Sequence, residues 1–83
     1  MQLFSLIYDE TKKMKIVNIN KEPVQLYKIL KFEGLVESGA AAKIVISDGL
    51  VLVNDTLETR KRRKIISGDI ISFNGEKMCV KLS

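Results

Sequence analysis

The side chains best suited to chemistry in this sequence stand side by side: Arg60, Lys61, Arg62, Arg63 and Lys64 are five consecutive cations. The net charge is +4, yet the 78 residues outside this run hold nine basic and ten acidic side chains and sum to −1. The positive charge is therefore local, the footprint of a phosphate-backbone binder rather than of a generally basic protein. Arginine offers a planar, permanently charged fork that takes phosphate bidentately, and lysine adds a mobile point charge. Such a run can hold several phosphates without reading bases. Binding of this kind weakens steeply with salt, with a log–log slope of about −0.7 per phosphate on single strands. In an extended run alternate residues face opposite ways, so Arg60, Arg62 and Lys64 would share one face unless a bulge or bend intervenes. Read without context, the run also fits a solvated or localisation-type basic patch.

The rest of the inventory excludes much of enzymology. There is no His and a single Cys, which removes Cys/His zinc clusters, an imidazole general base and an internal disulfide. Cys79, in a strand-like run with no His to lower its pKa, reads as packing filler. No metal, cofactor or small-molecule substrate is expected, and no catalysis. Apolar residues at 46% and charged residues at 29% suit a folded domain and are too apolar for a disordered basic tail. A chain of 83 residues has room for one modest core. The first residues lack a basic signal-peptide region and no apolar run approaches the ~18 residues of a membrane span. A cytoplasmic, reducing location is expected.

Positioning the basic run requires a framework, and its punctuation is visible. Residues 1–22 read as an N-terminal extension with short strands at 3–8 and 15–19, separated by the polar run 9–13. Pro23 suits the first turn of a helix that Gly34 ends, with Leu26, Ile29 and Leu30 as its buried stripe. Lys28 and Lys31 point the other way, as a solvated face or a phosphate-facing one. Ser38 is the expected N-cap of a second helix that stops at Gly49, with Ala42, Val45 and Ile46 inward and Lys43 at the stripe's edge. The two helices should form an αα-hairpin. From Leu50 the period becomes that of strands, with reversals at Asn54-Asp55, Ser67-Gly68 and Asn74-Gly75, the last being the strongest hairpin signal. Met78, Val80 and Leu82 share one face of the last strand, opposite Lys77, Cys79 and Lys81. The expected class is α+β: an αα-hairpin packed on a small, mostly antiparallel β-sheet, with residues 23–83 as the domain.

The order of these features carries a resemblance. Glu-Gly-Leu-Val-Glu-Ser-Gly-Ala-Ala-Ala-Lys at 33–43, Asp-Gly-Leu-Val-Leu-Val-Asn-Asp at 48–55 and Ser-Gly-Asp-Ile-Ile at 67–71 follow a helix in sequence. Over about residues 24–83 the chain resembles the RNA-binding domain named after ribosomal small-subunit protein four, the S-four domain or αL motif. It is most similar to that family's small stand-alone bacterial group, through residues 37–43 and the Glu-Thr-Arg-Lys-Arg of 58–62. The resemblance implies RNA binding through one face of the helix pair, the adjoining loop and the β-hairpin. Matched by position, it picks Ser38, Lys43, Asn54, Arg60, Lys61 and Arg62. The wider family commonly has Arg after the capping Ser, where this chain has Gly39, so one usual phosphate contact is missing. Gly39 would instead let a backbone N–H approach a phosphate.

Taken together, the expected site is Lys28, Lys31, Ser38, Lys43, Asn54, Arg60, Lys61, Arg62, Arg63 and Lys64. The expected partner is structured RNA, ribosomal or transfer RNA, bound by a monomer without a membrane. The competing reading is a protein-interaction adaptor whose patch meets an acidic partner. Of the aromatics near the lysine-bearing helix face, Phe32 is expected to be buried, so sequence-specific single-strand reading is not favoured. Replacing Arg60, Lys61 and Arg62 by Ala is expected to weaken RNA binding and leave the fold intact, on the premise that all three are solvated.

Overall fold

The computed structural model describes residues 14–83. The strand expected at 3–8 and the polar run 9–13 lie outside the described residues. Leu26–Phe32 forms helix α1 and Gly39–Ser47 helix α2. Leu26, Ile29 and Leu30 are fully buried, as their helical spacing requires. Each helix closes in the same way: Gly34 (φ 72°) and Gly49 (φ 78°) adopt the left-handed conformation. Their N–H groups donate to Lys31 and Ile46, and the next N–H reaches back to Leu30 or Val45 at 3.1 Å. Both are Schellman stops, in which glycine avoids the Cβ clash of positive φ.

Helix α2 begins where Ser38 turns from extended backbone, and its Oγ accepts the Ala41 N–H at 3.1 Å. Ser38→Ala is therefore expected to cost about 1 kcal/mol. A thermal melt followed by circular dichroism would read this as a lower Tm, and an unshifted melt would remove the cap from the helix's stability. Pro23 does not start α1 as expected. Val24–Gln25 is instead a short strand, β2, held extended by antiparallel pairing with β5 (Lys64–Ile65), so the helix starts later, after Gln25. A long-range partner has overridden the local signal.

The remaining strands are β1 (Lys15–Ile19), β3 (Val51–Val53), β4 (Thr56–Leu57), β6 (Ile70–Phe73) and β7 (Glu76–Leu82). They form one sheet in the order β1-β7-β6-β3-β4, antiparallel except where β1 runs parallel to β7. Asn54 and Asp55 take φ of 54° and 65°, and Asn74 and Gly75 of 53° and 81°. These are the paired positive values of type I′ hairpins, and they set Val53 opposite Thr56 and Phe73 opposite Glu76. Register then aligns Val53, Ile71 and Met78 across three strands, and Val17 beside Val80. All five are buried, on the sheet face that meets Leu26, Ile29, Leu30, Ala42 and Ile46 of the helices in one core. The 15–19 strand, read as part of an extension, is thus an edge of the main sheet, with Val17 and Ile19 in that core. Cys79 lies mid-strand in β7, half-buried and opposite Ile70.

Candidate nucleic-acid interface

The basic run is neither an extended strand nor a tail. The Arg63 N–H donates to the Arg60 carbonyl at 3.2 Å, closing a turn that breaks the expected alternation of faces. The loop's own carbonyls then face the start of α1: those of Arg63 and Lys61 accept the Leu26 and Tyr27 N–H groups at 2.9 and 3.2 Å. Helix α1 lacks a side-chain cap at Gln25, and these two bonds satisfy donors that its first turn would otherwise leave unpaired. With β5 paired to β2, the loop is fixed to the framework at its helix end and along its strand.

Its side chains are fixed by Glu58, which is only 4% exposed. The carboxylate accepts the Arg60 backbone N–H (2.9 Å), Arg60 Nε (2.9 Å), Arg60 Nη2 (3.0 Å) and Arg63 Nη1 (2.8 Å). The Arg60 fork, opposed by burial and assisted by Arg63, holds the carboxyl well below its usual range, down to about 2. Glu58 thereby engages two of the five cations. Lys61, Arg62 and Lys64 are exposed, with no carboxylate partner within ion-pair distance among the described residues. A shallow concavity of about 600 Å³ is lined by Arg60, Arg62, Arg63 and Lys64 alone, so an anion entering it would meet cationic side chains on every wall. The premise that Arg60 is an unattached surface charge is corrected: its guanidinium is mostly solvent-exposed, but it anchors a buried carboxylate, so its replacement affects the fold.

Tyr27 joins this loop to the second helix. Its backbone bonds the loop, and its ring lies under Lys43, whose Nζ is 4.6 Å from the ring centroid. The same ring faces Gly39, where a Cβ would sit 3.5 Å from Cε2. The N–H groups of Gly39 and Ala40 have no acceptor among the described residues, so the start of α2 offers donors beside the Tyr27–Lys43 pair. The structure therefore brings the basic loop, Tyr27, Lys43 and the Ser38-capped turn together.

The other expected residues are placed differently. Asn54 is engaged in holding the β3–β4 turn: its Nδ2 donates to Asp69 Oδ1 at 3.0 Å and its Oδ1 accepts the Ile70 N–H at 2.9 Å. It shares no hydrogen bond with the basic loop among the described residues. Lys28 and Lys31 are exposed on α1, beside Phe32. Phe32 is 69% exposed, contrary to the burial expected of it. At about 100° per residue it falls more than a quarter-turn from the centre of the Leu26, Ile29 and Leu30 stripe. Glu58 is the residue to which sequence reasoning gives no role, and Tyr27 reads there only as an aromatic near the lysine-bearing face of the first helix, not as the link to Lys43. The available signal for Glu58 was a carboxylate two and five residues before arginines.

Two paired helices over a mostly antiparallel sheet, with a cationic loop stitched to the first helix, define an α+β class of fold, and comparison with known families identifies it. The S4 domain model matches residues 17–81, and the chain belongs to that family. The match begins inside β1. Among curated relatives, the chain is 47% identical over 68 residues to the putative RNA-binding protein YbcJ of Escherichia coli (81% of this chain, 97% of YbcJ). It is 36% identical over 59 residues to the probable ribosome maturation protein RlbA of Bacillus subtilis (71% of this chain, 83% of RlbA). The solution structure of E. coli YbcJ, described as revealing an αL motif involved in RNA binding, superimposes with a TM-score of 0.64 at 46% identity. That superposition covers 82% of this chain and 87% of YbcJ.

Proposed function

We propose that this chain is a non-catalytic RNA-binding protein that grips the phosphate backbone of structured RNA, of ribosomal or transfer type. The observation that carries this reading is the loop anchored by Glu58, which leaves Lys61, Arg62 and Lys64 exposed and is joined through Tyr27 to Gly39 and Lys43 of α2. A loop already ordered on its framework loses little conformational freedom when phosphate binds, so its cations need no rearrangement to act. The names of the relatives, one RNA-binding and one tied to ribosome maturation, support RNA and favour ribosomal RNA among the two types. The protein acts as a cytoplasmic monomer without a cofactor. Among the described residues no helix is long and apolar enough to cross a membrane.

The test is filter retention of total cellular RNA by the purified protein at low and high salt. Retention at low salt that falls steeply at high salt is the expected result, and sequencing the retained RNA then identifies its type. Absence of retention at low salt would overturn the reading in favour of an acidic protein partner.

A further inference from the structure

A groove of about 630 Å³ runs between β1 and α1, lined among others by Asn18, Asn20, Lys21, Gln25, Lys28 and Phe32. It adjoins the basic loop through β2: Val24 and Gln25 line the groove and also pair with Ile65 and Lys64 of β5. Phe32 is the most exposed large apolar side chain among the described residues, and its ring edges a groove of ligand-pocket size. The charged side chains lining the groove are Lys21, Lys28 and Glu33. Glu33 lies 3.8 Å from Lys15, and the carboxylate of Glu22 accepts the Ser67 N–H at 2.7 Å. Lys21 and Lys28 have no carboxylate within 4 Å among the described residues.

An exposed aromatic side chain, two lysines without a carboxylate partner among the described residues and the side-chain amides of Asn20 and Gln25 have the composition of a single-stranded nucleotide site. The ring stacks a base, the lysines hold its flanking phosphates, and the amides offer donors and acceptors to the base edge. We propose that this groove takes an unpaired nucleotide flanking the structured segment whose backbone the Arg60–Lys64 loop grips. The proposal rests on the RNA-binding reading above and adds a second, chemically different contact to it. Backbone grip at the loop is indifferent to sequence. Stacking in the groove requires a base free of its pair, so the two contacts together select a junction between duplex and single strand.

The test compares a blunt RNA hairpin with the same hairpin carrying a short single-stranded uridine extension, using the wild type, Phe32→Ala and Phe32→Trp. The extension is expected to raise wild-type affinity about tenfold, in the range of one stacked base. Phe32→Ala should lose that gain and keep its affinity for the blunt hairpin. Phe32→Trp should retain the gain, with its fluorescence quenched by the extended RNA alone. A wild type indifferent to the extension, or a Phe32→Ala loss equal on both RNAs, overturns the groove and leaves the backbone reading standing. Failure of the wild type to bind either hairpin overturns both. A change of oligomeric state in Phe32→Ala, with RNA affinities unchanged, overturns the proposal in favour of self-association through this face.

Discussion

Replacing Lys61, Arg62 and Lys64 together by Ala is expected to lower RNA affinity on the order of a hundredfold or more and to leave the melting temperature almost unmoved. The two halves of that expectation have separate causes. All three side chains are exposed and none has a carboxylate partner among the described residues, so their removal strands no buried group and falls within the small range typical of surface substitutions. Each, however, is exposed to meet a phosphate, and at about 1 kcal/mol net for a solvent-exposed contact, the lower end for such bonds, three of them sum to about 3 kcal/mol, roughly a hundredfold. The log–log salt slope should also become shallower by about two to three. Affinity titrations at several salt concentrations, beside a thermal melt, measure both halves. An unchanged salt slope would remove these cations from the interface. The backbone carbonyls of Lys61 and Arg63 cap α1 whatever the side chains are, so the loop itself should survive the substitution.

What could be read in the sequence was what depends on a few neighbouring residues. Ser38, Gly34, Gly49 and the Asn54-Asp55 and Asn74-Gly75 pairs all act through backbone geometry within one turn, and each does in the structure what its type dictates. The same locality explains the core: the 3.6-residue stripe of α1 and the alternation of β7 needed no knowledge of their partners. Pro23 shows where local logic ends, because the pairing of Val24 with Ile65 joins residues far apart in the chain. The basic run was equally visible as charge and equally opaque as structure. Five identical signs in sequence become two arginines engaged by a carboxylate and three cations with no carboxylate partner among the described residues, and that division follows only when Glu58 is known to be buried. Asn54 shows the same limit: picked as a contact by family resemblance, it also ties the β3–β4 turn to Asp69 and Ile70 through its side chain, a partnership that its residue type does not announce.

The division within the basic run makes the complementary pair of arginines a stability element. Arg60→Ala with Arg63→Ala removes the three side-chain hydrogen bonds to a carboxylate that is 4% exposed. A buried charge stripped of its partners is strongly destabilising, and the melting temperature is expected to fall by about 10 °C or more. Adding Glu58→Leu to that double variant should recover much of the loss, since the stranded charge is then gone and its space is filled. A double variant that melts like the wild type would show that the network contributes nothing. Acid gives an independent measure of the same contact. The Glu58 carboxyl titrates at about 2 in the folded protein against 4.5 ordinarily, so the unfolded chain takes up its proton first. The stability it contributes is fully present above about pH 4.5 and is lost progressively as the pH falls toward 2. Urea unfolding at about pH 6 and about pH 3 should therefore show a larger drop for the wild type than for Glu58→Gln, which has no proton to gain there. Equal drops would place the acid sensitivity in other carboxylates. Because Glu58→Gln keeps all five cations but loosens the loop that presents them, it should be less stable and bind RNA more weakly than the wild type while keeping the wild-type salt slope. That combination separates the residue that orders the loop from the residues that touch the phosphates.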